Sequence, residues 1–359
     1  MQVLHQGGGA GSVTSTLHLS LGLARSGFPV SFVCPPGSEV EGLARAGGLE
    51  VLPLRLRARR HLSNAGALGE LLRRHPVALV NSQSSLDRQA LAWLAMRRRL
   101  GAPLVITRRQ MPLTFFLENW LVSRAAARVV AVSHAVGEAL VRRGTPRSKL
   151  VVVPNGTILD RVDVPVPAAS VEEWRSRIGW EPSRRTVGIV ARPKDQHVVL
   201  RALDEVATPV RLVLAGMGDA LDPAVIDRVP SRHAVVSLPF ISEIRPLYEL
   251  LEIVLVPSRM EGLSQSLLEA MALSKPVIVS AATGNLEVVR DRANGRLVAP
   301  LDPFAWARTI DELLGNRDEA ERMGAAARVT ARDEFSLAKT VQRTAALYRS
   351  LVLSHGNSG

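Results

Sequence analysis

Short apolar runs rich in β-branched residues alternate with amphipathic helical patterns along almost the whole chain. The runs PVSFVC, PLVITR and RVVAVS lie in the first half, and TVGIVA, VRLVLAG and IVLVP lie in the second. Such runs, separated by helices, are typical of parallel strands covered by helices on both faces of a sheet. A chain of 359 residues is also too long for one ordinary core. The sequence therefore predicts an α/β fold with two tandem, Rossmann-like, doubly wound domains.

The alternation is interrupted between residues 154 and 167, where prolines occur without helical or strand periodicity. A stretch of this kind is typical of a linker between domains. We expect an N-terminal domain over residues 1–165 and a C-terminal domain over residues 166–335. Residues 336–359 then form a C-terminal helix with a frayed tail, SHGNSG. Three closing helices are predicted by the amphipathic patterns at 303–315, 317–333 and 336–353.

The net charge of +12 is distributed unevenly. Residues 1–170 contain 21 Lys plus Arg and 9 Asp plus Glu, whereas residues 171–359 contain 24 of each kind. The excess is carried by arginine clusters at 55–60 (RLRARR), 97–99 (RRR) and 108–109 (RR). It is explained either by a solvated arginine-rich surface or by attraction to an anionic membrane or another polyanion.

The remaining composition favours a cytoplasmic protein. The single cysteine, Cys34, cannot form a disulfide within the chain, no apolar run is long enough to span a membrane, and MQVLHQGGG does not resemble a secretory signal. The histidines lack metal-ligand spacing, so we expect no metal. Only 14 aromatic residues occur, and none are interleaved with basic residues, so we expect no nucleic-acid partner. If the basic half binds lipid, the protein is peripheral at the inner membrane face.

Two carboxylates bracket the predicted start of a helix in PSRMEGLSQSLLEAMALSKP (257–276). The helix begins at Ser264 or Gln265 and follows a strand, so its free N–H groups suit a phosphate. Glu269 lies about 7 Å further along the axis, where it can accept hydrogen bonds from ribose hydroxyls, and Glu261 can do the same for a sugar. Two other interpretations stay open: surface acids favoured near a helix start, and a glycosidase-like acid/base pair.

Two cations, Arg192 and Lys194, follow directly on the strand TVGIVA. They either neutralise a leaving diphosphate or form a solvated loop pair. Lysine is rare in this chain, with four residues in total, which favours the first interpretation.

Three glycine-bearing turns follow other predicted strands. Glycines let the backbone approach a ligand closely and expose its amides. The first turn, QGGGAGS (6–12), does not have the G-x-G-x-x-G spacing of a dinucleotide-binding loop, so we do not predict a dehydrogenase. The other two are LAGMGD (214–219) and VVVPNG (151–156).

Taken in order, these stretches resemble the retaining glycosyltransferases of family 4, whose GT-B fold has two Rossmann-like domains facing an interdomain cleft. The resemblance covers nearly the whole chain, and the E-x7-E spacing at 261 and 269 together with PNG is its most specific part. It is carried by the glycine loop 7–12, VAVSHAV (130–136), VVVPNG, GIVARPKDQHVVL (188–200), LAGMGD, the stretch 257–280, GNLEVV (284–289) and ANGRLVAPLD (293–302).

The resemblance implies a catalytic set of Arg192, Lys194 and Glu261, in which the two cations bind the donor diphosphate and Glu261 holds the transferred sugar. It also implies that Glu269 binds the ribose. The other donor-binding residues that it implies are Gly9, Ala10, Gly11, Gly216, Gly262, Leu263 and Ser264.

The sequence departs from the family pattern at two places. Relatives carry a histidine after the VIT strand, where TRRQMP has Arg109, and Asp195 replaces a common glycine after Lys194. We expect Arg108, Arg109 and Asn155 on the side of the acceptor or the donor sugar.

The activity implied by the resemblance is transfer of a hexose from a nucleotide-diphosphate sugar, with retention of configuration and with no metal or other cofactor. The acceptor is expected to be a saccharide, and a lipid-linked or cell-envelope saccharide is one such acceptor. The final helix is expected to cross back toward the N-terminal domain. Two other classes stay open: a nucleotide-sugar epimerase on the same scaffold, and a non-catalytic protein that binds a polyanion or a membrane.

Overall fold

The computed structural model describes residues 1–160, 162–220, 222–241 and 243–356. The described part of the chain divides into two compact units. Each unit contains one parallel sheet with helices on both sides, which confirms the predicted α/β fold.

The first unit contains a seven-stranded parallel sheet in the order β3-β2-β1-β4-β5-β6-β7. Its strands are β1 (Gln2–Val3), β2 (Ser31–Cys34), β3 (Glu50–Pro53), β4 (Val80–Ser82), β5 (Leu104–Arg108), β6 (Arg128–Ala131) and β7 (Leu150–Val152). Its connecting helices are α1 (Gly11–Arg25), α2 (Glu39–Ala46), α3 (His61–Arg74), α4 (Ser85–Met96), α5 (Phe116–Ala125) and α6 (His134–Arg142). The central strands β1, β4 and β5 are buried throughout, including the polar residues of β1 and β4.

The second unit contains a six-stranded parallel sheet in the order β10-β9-β8-β11-β12-β13. Its strands are β8 (Arg185–Val190), β9 (Val210–Ala215), β10 (Ala234–Leu238), β11 (Ile253–Val256), β12 (Val277–Ser280) and β13 (Arg296–Val298). Its helices are α7 (Ala168–Ile178), α8 (Gln196–Ala202), α9 (Pro223–Ile226), α10 (Arg245–Leu250), α11 (Gln265–Ala272), α12 (Pro303–Gly315) and α13 (Arg317–Glu334). Its core packs these helices on the sheet around the fully buried Trp306.

The chain divides earlier than residue 165. The first unit comprises Met1–Gly156 with the C-terminal segment from Leu337 onward, and the second comprises Thr157–Ser336. Thr157 forms a bridge with Ser336, and its N–H donates to the Phe335 carbonyl, so the linker residues that follow Gly156 already pack with the second unit.

The C-terminal helix α14 (Leu337–Gly356) belongs to the first unit, where it packs on α1. Of the predicted frayed tail, residues 354–356 continue this helix, and residues 357–359 lie outside the described part. None of the helices described is long and apolar enough to cross a lipid bilayer.

Candidate active site

Each sheet has a point at which the strand order reverses direction. The reversal lies between β1 and β4 in the first unit and between β8 and β11 in the second. Loops at the carboxyl ends of strands diverge at such a point and leave a crevice that binds ligands. In the second unit the predicted cations follow β8 and the predicted carboxylates follow β11, so both sets lie at this crevice.

The loop after β8 is held by Gln196, the first residue of α8. Its side-chain oxygen accepts from the Lys194 N–H at 2.5 Å, and its amide nitrogen donates to the Arg192 carbonyl at 2.7 Å. The exposed Lys194 ammonium contacts the partly buried Glu261 carboxylate. The exposed Arg192 guanidinium has no hydrogen-bond or ion-pair partner within the part of the chain that the structure describes. The loop therefore presents one paired and one unpaired cation.

A second contact joins the same two loops. Asp195 is buried, and its carboxylate accepts hydrogen bonds from the Arg259 backbone N–H at 3.0 Å and from Nε at 3.1 Å. The residue that departs from the family pattern thus fixes the loop after β8 to the loop after β11. The sequence did not indicate this role, because the two residues are far apart in the chain.

The turn of Glu261 and Gly262 is supported by the 3₁₀ helix Thr283–Glu287 after β12. The Thr283 hydroxyl accepts from the Glu261 N–H at 3.0 Å, and the Gly284 N–H donates to the Glu261 carbonyl at 3.2 Å. A Cβ atom on Gly284 would lie 2.0 Å from the Gly262 carbonyl oxygen. Only glycine allows this approach of two backbones, so the GNLEVV segment positions the turn of Glu261 and Gly262.

Helix α11 begins where the sequence predicts. Ser264 is its N-cap, and the hydroxyl of Ser264 accepts from the Leu267 N–H at 3.4 Å. The first turn carries no acidic side chain, so its positive end is available to an anion. Leu263, just before the cap, is buried and anchors the turn.

Glu269 lies one turn further along α11, beside Tyr248. Burial raises the pKa of its carboxyl from 4.5 to about 7, although a hydrogen bond from Gln265 acts in the opposite direction. Because this carboxylate is poorly solvated, accepting a hydrogen bond from a ligand hydroxyl lowers its free energy more than it would lower that of an exposed carboxylate.

Gly216 follows β9, the neighbour of β8, and has φ of 100°. A Cβ atom there would lie 2.9 Å from the Ala191 carbonyl oxygen, so the left-handed conformation brings the 214–219 turn against the loop of Arg192.

The predicted first-unit residues lie on the other sheet. Gly9 has φ of 67°, Ala10 is the N-cap of α1, and Gly11 is the first residue of that helix. No acid occurs in this first turn either, and no side chain caps it. Asn155 is buried three residues after β7.

Arg108 and Arg109, at the end of β5, are buried. Arg108 Nη1 donates to Asn119 Oδ1 at 3.0 Å, and desolvation with the nearby Arg88 lowers the pKa of Arg108 to about 9. Arg109 Nη1 donates to Gln83, and desolvation lowers the pKa of Arg109 to about 10.

The Arg109 contact belongs to a chain of buried amides that ends on helix α14. Gln83 donates to Gln2 at 2.6 Å, and both Gln2 and Asn81 donate to the Tyr348 hydroxyl, at 3.0 and 2.5 Å. Hydrogen bonds through Gln83 and Gln2 therefore connect Arg109, which replaces the usual histidine, to Tyr348 of the C-terminal helix.

A polar cluster at the β1/β4 reversal was not found from the sequence. His5 Nδ1 lies 2.6 Å from Ser84 Oγ and 3.1 Å from the fully buried Asp87 carboxylate. Burial alone would raise the pKa of Asp87, but hydrogen bonds from His5, Ser84 and Ser82 hold it below its ordinary value. The contacts join residues some eighty positions apart, and no local spacing signals them.

Across the residues described, no three His, Cys, Asp or Glu side chains are grouped closely enough to hold a metal ion.

Comparison with known proteins identifies the class. Residues 9–161 match the family described as Glycosyltransferase Family 4, and residues 184–316 match the one described as Glycosyl transferases group 1. The two matches together span most of the chain, and the fold is that of a GT-B glycosyltransferase. The chain belongs to the family 4, or group 1, glycosyltransferases.

Curated relatives agree with this assignment. An uncharacterized glycosyltransferase of Methanocaldococcus jannaschii is 26% identical over 241 residues, which cover 64% of this chain and 62% of that protein. The D-inositol 3-phosphate glycosyltransferase of Xylanimonas cellulosilytica is 32% identical over 222 residues, covering 58% and 53%. The chain thus spans between half and two thirds of the length of these relatives.

Solved structures share the fold. A glycosyltransferase from Rickettsia africae matches with a TM-score of 0.80 and 20% identity over 98% of this chain and 97% of its own. Anabaena HepE in complex with UDP-glucose matches with a TM-score of 0.83 and 18% identity over 98% and 99%.

Proposed function

We propose that the protein transfers a hexose from a nucleotide-diphosphate sugar to a saccharide acceptor with retention of configuration. One observation carries this proposal. At the reversal point of the second sheet, Lys194 contacts Glu261, while the neighbouring Arg192 has no hydrogen-bond or ion-pair partner among the residues described. The donor's diphosphate supplies the missing anion, and its sugar supplies hydroxyl groups for the carboxylate.

Different residues bind different parts of the donor. Arg192, Lys194 and the N-terminal end of α11 stabilise the departing diphosphate as its negative charge develops. Glu261 and the amides of the 262–264 turn hold the sugar, and Glu269 accepts hydrogen bonds from the ribose. The acceptor hydroxyl attacks the same face of the sugar, and an oxygen of the leaving phosphate takes its proton. In this scheme the two cations and the helix end, rather than a metal, stabilise the negative charge of the diphosphate.

The solved relatives support the donor class. Anabaena HepE has been crystallised with UDP and with UDP-glucose, and Staphylococcus aureus TarM with UDP and the saccharide fondaparinux. On this basis we propose a nucleoside diphosphate sugar as the donor for this chain and a saccharide as its acceptor.

A lipid-linked or cell-envelope saccharide is the acceptor that we propose, at the cytoplasmic face of the membrane. The basic first half of the chain supports this choice, since its net positive charge suits an anionic lipid surface.

The test is a screen of the purified protein against nucleotide sugars, with slow hydrolysis as the readout. We expect one donor to release nucleoside diphosphate and free sugar in buffer that contains EDTA, and Lys194→Ala to slow the release by roughly 100-fold. A sugar of altered configuration with no acceptor present would instead identify an epimerase. No release from any donor, with intact folding, would contradict the proposal.

A further inference from the structure

Helix α5 exposes most of its large apolar residues and buries two polar ones. Its buried residues are Asn119, Val122 and Ser123, of which only Val122 is apolar. Phe115, just before the helix, is 83% exposed, and Leu117 is 63% exposed. A surface helix of a globular protein normally shows the opposite pattern, because apolar side chains gain free energy by leaving water.

Specific contacts fix this orientation. Asn119 accepts from Arg108 and donates to the Arg143 carbonyl at 3.0 Å and to the Thr145 hydroxyl at 2.8 Å. Ser123 Oγ lies 2.9 Å from the same hydroxyl. All the buried side-chain groups named here have partners, so rotating the helix to hide its apolar side would leave polar groups unsatisfied. The apolar side is therefore held at the surface.

The exposed apolar residues lie close together in the chain, between positions 113 and 121. They occupy the turn before α5 and the outward side of its first two turns, a concentration that marks an interaction site more than a scatter of single residues would. They are Leu113, Phe115, Phe116, Leu117 and Leu121, and we refer to them as the α5 patch.

Two arginines lie beside the α5 patch, and the segment that contains it is basic. Residues 108–149 contain eight Lys plus Arg and two Asp plus Glu. Arg124 stacks on the Trp120 ring at 5.0 Å, and Arg143 Nη1 donates to the Thr114 carbonyl at 2.7 Å, so both lie beside the patch. Of the two acids, Glu138 is paired with Arg147. Apolar and aromatic tips flanked by arginines are the composition that binds the interface of an anionic bilayer.

We propose that the α5 patch inserts into the headgroup region of an anionic lipid bilayer, with the neighbouring arginines on lipid phosphates. The inference deepens the membrane partner suggested above from charge, and it adds the apolar element that charge alone lacks. It does not depend on the donor site.

The experiment is cosedimentation of the full chain with vesicles of phosphatidylcholine containing a quarter phosphatidylglycerol, and with vesicles of phosphatidylcholine alone. We expect the Phe115→Ser/Leu117→Ser double variant to bind the anionic vesicles roughly tenfold or more weakly than the parent, since two large side chains no longer leave water. Raising the salt should weaken parent binding without abolishing it, because the apolar part is not screened.

A matched control removes the same two side chains elsewhere. Phe304 is 68% exposed on α12 and Leu353 is 69% exposed on α14, so Phe304→Ser/Leu353→Ser deletes the same apolar groups outside the patch. We expect vesicle binding of this variant within twofold of the parent. The thermal unfolding temperature of both double variants should equal that of the parent, since all four side chains are exposed.

Three results would overturn the inference. They are equal vesicle binding by the parent and the Phe115→Ser/Leu117→Ser variant, no binding of the parent to anionic vesicles, and a parent dimer in light scattering that becomes a monomer in that variant, which would assign the patch to a second copy. Nucleotide-sugar hydrolysis, measured without vesicles, should be unchanged in that variant. A parent that binds vesicles but hydrolyses no donor would contradict the proposed function alone.

Discussion

The role proposed for Glu269 rests on its position in the sequence and on its surroundings in the fold. Its place in the sequence, beyond a helix start, indicates contact with a ligand. Its environment adds that the carboxyl is poorly solvated, with a pKa raised to about 7. Hydroxyl groups of a bound ribose would replace part of the missing solvation. Ionisation of this group and nucleotide binding are therefore expected to favour each other.

Glu269→Ala should weaken binding of a nucleoside diphosphate by about 1 to 3 kcal/mol, the range for loss of a charged hydrogen-bond partner. Calorimetric titration at pH 8, where the parent carboxyl is ionised, measures this change. Glu172→Ala, which removes an exposed acid of α7, is the control and should bind like the parent. Unchanged affinity of Glu269→Ala for every nucleotide tested would rule out the assigned role.

The same pKa shift predicts how stability depends on pH. The folded pKa lies above the ordinary value of 4.5, so the folded state holds this proton more tightly than the unfolded state does. The contribution is fully present below pH 4.5 and is lost as the pH rises through about 7. Glu269→Gln should therefore gain stability relative to the parent between pH 5 and pH 8, by at most about 3 kcal/mol. Calorimetric unfolding of both proteins at the two pH values tests this, and a constant difference would contradict it.

Arg192 and Lys194 are predicted to act on the leaving diphosphate. Replacing either by Ala should lower kcat by roughly 100-fold, because one preorganised charge is lost where negative charge develops. Arg201→Ala, on the exposed side of α8, is the matched control and should keep the parent kcat. Steady-state kinetics with the donor found in the screen provide the measurement. Turnover within twofold of the parent for both variants would place the diphosphate site elsewhere.

At the scale of elements, local signals were sufficient for most of the second unit. The start of α11 follows from Ser264 as a cap, and α12 and α13 follow from their apolar periodicity. The orientation of α5 could not be predicted, because its buried Asn119 is satisfied by groups from β5 and the end of α6. For the same reason the pairs His5–Asp87 and Asp195–Arg259 were missed, since tertiary contacts between distant segments leave no periodicity. The residues predicted to bind the donor could be proposed from the sequence because they follow strand ends, where ligands bind in parallel sheets.

A substitution at Gly284 tests whether the 3₁₀ helix after β12 supports the 261–264 turn. Gly284→Ala would place a Cβ atom against the Gly262 carbonyl, so the 261–264 turn must move. We expect a loss of about 1 to 3 kcal/mol in stability, the range for overpacking, and a larger loss of donor turnover. Gly315→Ala, at the end of α12 where nothing lies within 4 Å, is the control and should be neutral or slightly stabilising. Parent-like turnover in Gly284→Ala would show that the turn does not need this close approach.

At the scale of the whole molecule, the charge asymmetry separates two kinds of membrane contact. The arginine clusters 55–60 and 97–99 are exposed, and they are distinct in sequence from the α5 patch. Charge of this kind attracts the protein to an anionic surface over a Debye length of about 8 Å at physiological salt, whereas apolar insertion acts only on contact. The two contributions should therefore respond differently to salt.

Neutralising the clusters should remove the salt-dependent part of vesicle binding. The variant changes seven exposed residues to Gln, namely Arg55, Arg57, Arg59, Arg60, Arg97, Arg98 and Arg99. Each arginine that reaches the lipid contributes about 1 kcal/mol at low salt, so binding to anionic vesicles should fall steeply at low salt and little at high salt. The control changes three exposed arginines of the second unit, Arg201, Arg228 and Arg308, and should bind like the parent. Cosedimentation with anionic and neutral vesicles at both salt concentrations gives all the comparisons. Equal, weak binding of the parent to both vesicle types at low salt would make these arginines a solvated surface, and would favour an acceptor that is not held in a membrane.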